Sequence, residues 1–301
     1  MNSIYTKKVS LLLKILPEIE KIDQFALHGG TAINLFYHNM PRLSVDIDLT
    51  YIPYSKRVKD LETIGLLLKQ LSGRLGRIIP GLSVRIGNEQ AEGVKLFCIL
   101  NGTMVKIEVN TINRGIMDKT QRMMLCDAAQ LEFNTFCEMN IVPKGQLFGG
   151  KIVATLDRQH PRDLFDINKM FTTQMWDEQI TKGFLFSLFS SKRPFQELFK
   201  PHFLNHDKLI ETQFAGMTEE PFTKDMYEQT RVKLLDNILK ALNSDQKNMI
   251  ISVAKGEPDW IYEDWSNYPG IAWKLINIEK LRKKNFTKYQ QQIDQLEAIL
   301  H

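Results

Sequence analysis

The stretch Ser44-Val45-Asp46-Ile47-Asp48-Leu49 constrains this chain more than any other. It alternates polar and apolar residues, and the run 44–52 is rich in Val, Ile and Tyr, the pattern of a half-buried strand. Residues two apart on a strand share a face, with Cα atoms roughly 6.5–7 Å apart. Asp46 and Asp48 therefore aim at one place, while Val45, Ile47 and Leu49 turn into apolar packing. Two carboxylates side by side repel unless a cation sits between them. Hard divalent cations such as Mg2+ take carboxylate oxygens and leave room for phosphate oxygens. An edge strand with two solvated aspartates would read the same way, so the rest of the chain has to decide.

Three further segments bear on that decision. The apolar run from Phe25 leads into Gly29-Gly30-Thr31, which reads as a turn with Thr31 as the N-cap of a helix over 32–38. Glycines let backbone approach a phosphate, and a helix N-terminus offers N–H groups to it; a plain capped turn is the alternative. Met104 to Asn110 reads as a strand with Lys106, Glu108 and Asn110 on one face and Val105, Ile107 and Val109 on the other. Glu108 is then a third carboxylate, or the stripe is a solvated face. Lys151 lies on a helical stretch ending near Arg158, and Arg162-Asp163-Leu164-Phe165-Asp166 opens another helix. Asp163 and Asp166 are three apart and share a helix face. They belong to a site with Lys151, or to a salt-bridge network with Arg158 and Arg162.

The 301 residues suit two domains better than one. Helical periodicity covers 3–22 and 58–75. Strand-like runs cover 82–86, 94–100, 104–110 and 136–141, with Asn101-Gly102 as a hairpin signal. Past Pro143-Lys144-Gly145 nearly everything is helical, including 147–156, the stretch from Pro161, 232–242 and 271–281. The boundary is therefore expected near 143. Apolar residues make up 43%, which excludes disorder of the whole chain. The net charge of +4 permits a nucleic-acid partner without requiring one. Cys98, Cys126 and Cys137 form neither a disulfide framework nor a C-x-x-C metal spacing and read as buried small hydrophobes. Met1 to Glu20 is amphipathic rather than signal-like, and no apolar run approaches the roughly 18 residues of a membrane span; a cytoplasmic protein is expected. His28 reads as a packing or capping residue, or as a contact to a nucleotide. His160 is expected to be solvated. Trp260, Trp265 and Trp273 are assigned to the helical core, with base stacking as the alternative. The basic run 280–284 with Lys288, Phe286 and Tyr289 is either an RNA contact or a solvated helix end.

Taken in order, the G-G-T turn, the D-I-D strand, the later strand with Glu108, the Lys151 helix and the R-D-x-x-D helix resemble a polymerase-β-type nucleotidyltransferase. Gly29-Gly30-Thr31-Ala32, Arg42 to Leu49 and Arg162 to Asp166 resemble the AbiEii toxin family of bacterial abortive-infection and toxin–antitoxin systems, as do Lys255 to Trp260 and Trp273-Lys274-Leu275. The likeness spans about residues 25–275. It implies an α/β (mixed α+β) fold: a polymerase-β-like nucleotidyltransferase core with a mixed sheet over 1–142, then a mostly helical domain, 143–301, completing the active-site cleft. It also implies a phage-defence enzyme that uses Mg2+ or Mn2+ to transfer NMP from NTP to an RNA, the tRNA 3′ end being the acceptor it points to. A cognate antitoxin encoded nearby is implied, and no membrane. Asp46 and Asp48 would hold two metal ions with Glu108 as third ligand. Gly29, Gly30 and Thr31 would hold phosphates, Lys151 would neutralise triphosphate charge, Asp163 would orient Lys151 or meet the nucleotide, and Asp166 would support it. Ser44 shares the strand face of Asp46 and Asp48. Its hydroxyl either bonds the glycine turn or carries a regulatory phosphate where the triphosphate would lie. The family turn is usually Gly-Ser, and here Thr31 supplies the hydroxyl after Gly-Gly. A phosphotransferase on the same fold and a catalytically silent binding module are the rival readings.

Overall fold

A computed structural model describes residues 3–89, 93–173 and 175–301. The chain divides into two compact units, Met1–Pro143 with Phe214–Pro221, and Lys144–Gln213 with Phe222–His301.

The first unit runs α1 (Ser3–Glu20), β1 (Phe25–His28), α2 (Gly29–Ala32) continuing as a π-helical turn (Ile33–Tyr37), β2 (Asp46–Tyr51), α3 (Arg57–Ile78), β3 (Ser83–Glu89), β4 (Gly93–Leu100), β5 (Thr103–Asn110), β6 (Gln121–Met124), α4 (Asp127–Phe133) and β7 (Glu138–Ile141). The seven strands form one mixed sheet in the order β3-β4-β5-β2-β1-β7-β6. β2 pairs antiparallel with β1 and parallel with β5, so it is a central strand and the edge-strand reading falls away. Leu27, Ile47, Leu49, Val105, Ile107 and Val109 are all buried on one face, under α1. Each contributes about 1.5–3 kcal/mol on burial. That fixes the register, because a slip of one residue would drive Asp46 and Asp48 into this core. Asn101 and Gly102 both adopt positive φ, +50° and +75°, which suits the tight β4–β5 hairpin. Residues 214–221 brace the approach to β2: Met217 O accepts from Leu43 N (2.7 Å), and Thr218 Oγ1 donates to Pro41 O (2.8 Å).

Several expectations need correction here. The helix expected over 32–38 begins at Gly29, and His28, not Thr31, occupies its N-cap position. The strand expected from Ser44 begins at Asp46. β6 and α4 were not expected at all; at four and seven residues they are too short to establish a period.

The second unit comprises α5 (Lys144–Arg158), α6 (Pro161–Thr172), α7 (Glu178–Phe189), α8 (Phe195–Phe199), α9 (Asp207–Leu209) with a π-helical turn (Ile210–Phe214), α10 (Lys224–Ala241), α11 (Ser244–Ala254), α12 (Pro269–Lys284) and α13 (Phe286–Leu300). α5 and α7 cross at a glycine seam. A Cβ on Gly183 would lie 1.9 Å from Gly145 O, and one on Gly149 would lie 2.1 Å from the Gly183 carbonyl carbon. Trp265 is fully buried, edge-on to Phe186 at 5.4 Å and beside Trp260 at 5.8 Å. Trp273, by contrast, is 42% exposed and is no part of that core. His160 is the N-cap of α6 rather than a solvated loop residue: its Nδ1 accepts from Arg162 N, and its Nε2 lies 3.0 Å from Gln213 Oε1. In the basic run, Arg282 pairs with Glu257 and Lys283 with Glu279, all at an exposed helix end. Cys98 and Cys137 are buried, and burial pushes both thiols up to about 12; Cys126 is only half-buried. Among the described residues, no helix is long and apolar enough to cross a membrane.

Candidate active site

The polar face of the sheet is built by register. His28 pairs with Asp48 across β1 and β2, Asp48 with Glu108 across β2 and β5, and Glu108 with Lys95 across β5 and β4. Paired residues point to the same face, so these four side chains form one row. The adjacent row holds Asp46 opposite Lys106. The sheet thus places Asp46, Asp48 and Glu108 on one face of two paired strands. It also adds two lysines, Lys106 and Lys95, that sequence reasoning left out of the site.

Those lysines are where the charges balance. Lys106 Nζ donates to Glu108 Oε2 at 2.8 Å, and Lys95 Nζ lies 3.6 Å from Glu108 Oε1. Burial alone would depress the Lys106 ammonium. Its hydrogen bond to Glu108 and the charges of Asp46, Glu108 and Asp48 outweigh burial and hold it above its ordinary value. The signal was legible in outline, since Lys106 stands two residues before Glu108 on the same strand face. What the sequence could not supply was the parallel pairing that places it against Asp46. Asn110, the third member of the stripe, instead accepts from Ile112 N and Asn113 N and shapes the turn after β5. Among the described residues, no three His, Cys, Asp or Glu side chains are gathered so as to hold a metal ion.

The glycine turn backs directly onto this face. Gly29 has φ +71°, and a Cβ there would lie 2.5 Å from Asp48 Oδ2. A Cβ on Gly30 would lie 2.7 Å from Nη2 of Arg42, a buried guanidinium that donates to Leu43 O. Only glycine lets the helix start this close to the carboxylate. Thr31 is buried; its hydroxyl donates to the Asp46 carbonyl and hydrogen-bonds Ser44 Oγ at 3.0 Å. Thr31 therefore ties α2 to β2 from inside, and the Ser44 hydroxyl is bonded to the glycine turn. His28 Nδ1 lies 3.0 Å from Thr50 Oγ1, which fixes its ring beside Asp48.

The second unit holds the other residues singled out from the sequence. Lys151 on α5 is 7% exposed, and its Nζ reaches Asp163 Oδ1 at 2.8 Å and Asp166 Oδ2 at 2.9 Å on α6. Arg158 grips the same Asp163 with two bonds, Nε to Oδ2 at 2.6 Å and Nη2 to Oδ1 at 3.1 Å. Burial would raise the Asp163 carboxyl, but the Lys151 and Arg158 charges outweigh burial and hold it well below the usual carboxylate range. Asp163 thus stands both in a cluster with Lys151 and Asp166 and in a salt bridge to Arg158.

A family model described as nucleotidyl transferase AbiEii toxin, type IV TA system, matches residues 10–275. No curated protein matches the chain. Among solved structures the chain is similar to MenT4, a nucleotidyltransferase toxin from Mycobacterium tuberculosis H37Rv, with TM-score 0.62 and 13% identity over 91% of this chain and 93% of that one. At that identity the likeness speaks for the fold.

Proposed function

The chain belongs to the AbiEii nucleotidyltransferase toxin family of type IV toxin–antitoxin systems, and from that premise we propose that it transfers a nucleoside monophosphate from an NTP to the 3′ end of an RNA, with tRNA as the favoured acceptor. The observation that carries this reading is the Asp46–Asp48 pair on the polar face of a central strand, backed by the first turn of a helix. The donor set is carboxylate oxygen, and the absence of a side chain at Gly29 lets the first turn of α2 approach the Asp48 carboxylate. Both features fit Mg2+ or Mn2+ arriving with NTP phosphates. Asp46 and Asp48 would hold the metal, with Glu108 as the third carboxylate. When bound, a metal of this kind lowers the pKa of an attacking hydroxyl and neutralises charge on the leaving group.

The transfer forms a bond from the RNA 3′-oxygen to the α-phosphorus, breaks the bond to the bridging oxygen and releases pyrophosphate. The hydroxyl proton passes to an Oδ of the aspartate pair. Backbone N–H groups in the first turn of α2 are assigned to the β- and γ-phosphates, since a helix start leaves such donors without intrahelical partners. Thr31 and Ser44 act by holding that turn against β2. Lys151, Asp163 and Asp166 are assigned to the same activity. An antitoxin encoded nearby would restrain the enzyme in the cytoplasm, where NTP and RNA are found. The test is incubation of the purified protein with total RNA, Mg2+ and each labelled NTP in turn. Label entering a defined RNA band is the expected result; no label with any NTP overturns the proposal.

A further inference from the structure

Lys106 does more than decorate the sheet face. Lys106 pairs in register with Asp46 across β2 and β5, and its ammonium bonds Glu108 at 2.8 Å and feels the charges of Asp46 and Asp48. With Lys95 at the other oxygen, both oxygens of Glu108 are engaged by lysines. Three carboxylates on one face of two paired strands repel unless positive charge lies among them, and here the protein supplies it from its own strands. The register brings Glu108 beside Asp48, and there its two oxygens meet the two lysines.

Resting on the function proposed above, we infer that Lys106 is a tethered counter-ion that occupies the carboxylate face of β2 and β5 in the metal-free protein, and that Glu108 becomes a ligand only after Lys106 lets go of it. Lys95 is the second holder. The device makes the bare carboxylates a weak trap for a free divalent ion. Metal entry is favoured when phosphates come with it, because they give the displaced ammonium a new partner. Lys106 is in this sense a positioning residue, acting on the reaction through Glu108.

The experiment is Mn2+ titration of the whole chain, followed by electron paramagnetic resonance and by the Mn2+-induced rise in melting temperature, without NTP or RNA. Lys106→Met should bind Mn2+ about tenfold more tightly than the unmodified protein, since a unit charge next to the ligands is gone. Its Mn2+-induced melting shift should be larger. Lys106→Arg, which keeps the charge, should bind as weakly as the unmodified protein. The gain should vanish when Asp48→Asn is added. A Lys106→Met protein that melts lower without metal and is restored by Mn2+ gives the same answer. Equal Mn2+ affinity with and without Lys106, a gain that survives Asp48→Asn, no rescue of an unstable variant, or no Mn2+ binding by any of these proteins overturns the inference. Tighter Mn2+ binding in a protein that labels no RNA would count against the proposed function and leave this inference standing.

Discussion

Asp46 and Asp48 differ from Lys151 in what their removal should do, and the difference follows from burial. The aspartate pair is half-exposed and shares its strand face with Lys106, so losing one carboxylate trades relieved like-charge repulsion against a lost attraction to that ammonium. Asp46→Asn or Asp48→Asn should therefore leave stability within about 1 kcal/mol of the parent, measured by urea unfolding, while nucleotide transfer falls at least ~10³-fold, some 4 kcal/mol of barrier. Retained transfer in either variant would remove the pair from the chemistry. Lys151 is the opposite case. Lys151→Met leaves Asp163 and Asp166 buried without their shared cation, at a cost of about 3–5 kcal/mol. Adding Asp163→Asn and Asp166→Asn should restore much of that stability without restoring activity; a triple variant as active as the parent would make the cluster purely structural. Acid should find the same weak points. An aspartate with a depressed folded-state pKa contributes its stability in full above its unfolded value near 4 and loses it as pH falls toward the folded value. Asp163 is such a group. His160, whose pKa is lowered chiefly by burial, favours the neutral form in the folded chain and gives up stability as pH falls through about 6.5. Stability measured from pH 7 to 3 should therefore decline in both windows, and His160→Asn should flatten the upper one alone.

The helices and strands that carry these residues were legible where one period ran long enough. Alternation in Ser44 to Leu49 gave the buried face of β2, and the Asn101-Gly102 signal gave the β4–β5 hairpin. It gave neither the pairing partner nor the direction, because alternation says which side chains share a face and not which strand lies beside them. Lys106 was missed as a member of the site for that reason. Gly-Gly is ordinarily a turn signal; at the start of α2 it is the first helical turn, made glycine by the nearness of Asp48 and Arg42. The α5–α7 seam is a tertiary fact of the same kind, and it sets the position of Lys151. Gly183→Ala forces a Cβ to within 1.9 Å of Gly145 O and should cost about 3 kcal/mol or more in urea unfolding. Gly73→Ala, on α3 with open space around it, should instead stabilise by about 0.5–1 kcal/mol. Equal effects at the two glycines would contradict the packing described for α5 and α7.

At the scale of the whole molecule, the sequence carried the family through blocks spread over most of the chain, and the family model matching residues 10–275 agrees with it. What it could not carry is the return of residues 214–221 to the first unit, since a few hydrogen bonds to Leu43 and Pro41 leave no periodic trace. Nor do net charge or the paired cations of the C-terminal helix end identify an acceptor. The central claim concerns which part of an NTP moves, and where. The most direct measurement follows α-labelled and γ-labelled NTP in parallel with an RNA whose 3′-hydroxyl is intact or blocked, in the presence of Mg2+, while pyrophosphate is counted. The account predicts α-label in the RNA, none of the γ-label, one pyrophosphate per nucleotide added, and loss of all signal on 3′ blocking or with Asp46→Asn. Transfer of the γ-label to any acceptor, or α-label incorporation that survives Asp46→Asn with Asp48→Asn, would contradict it.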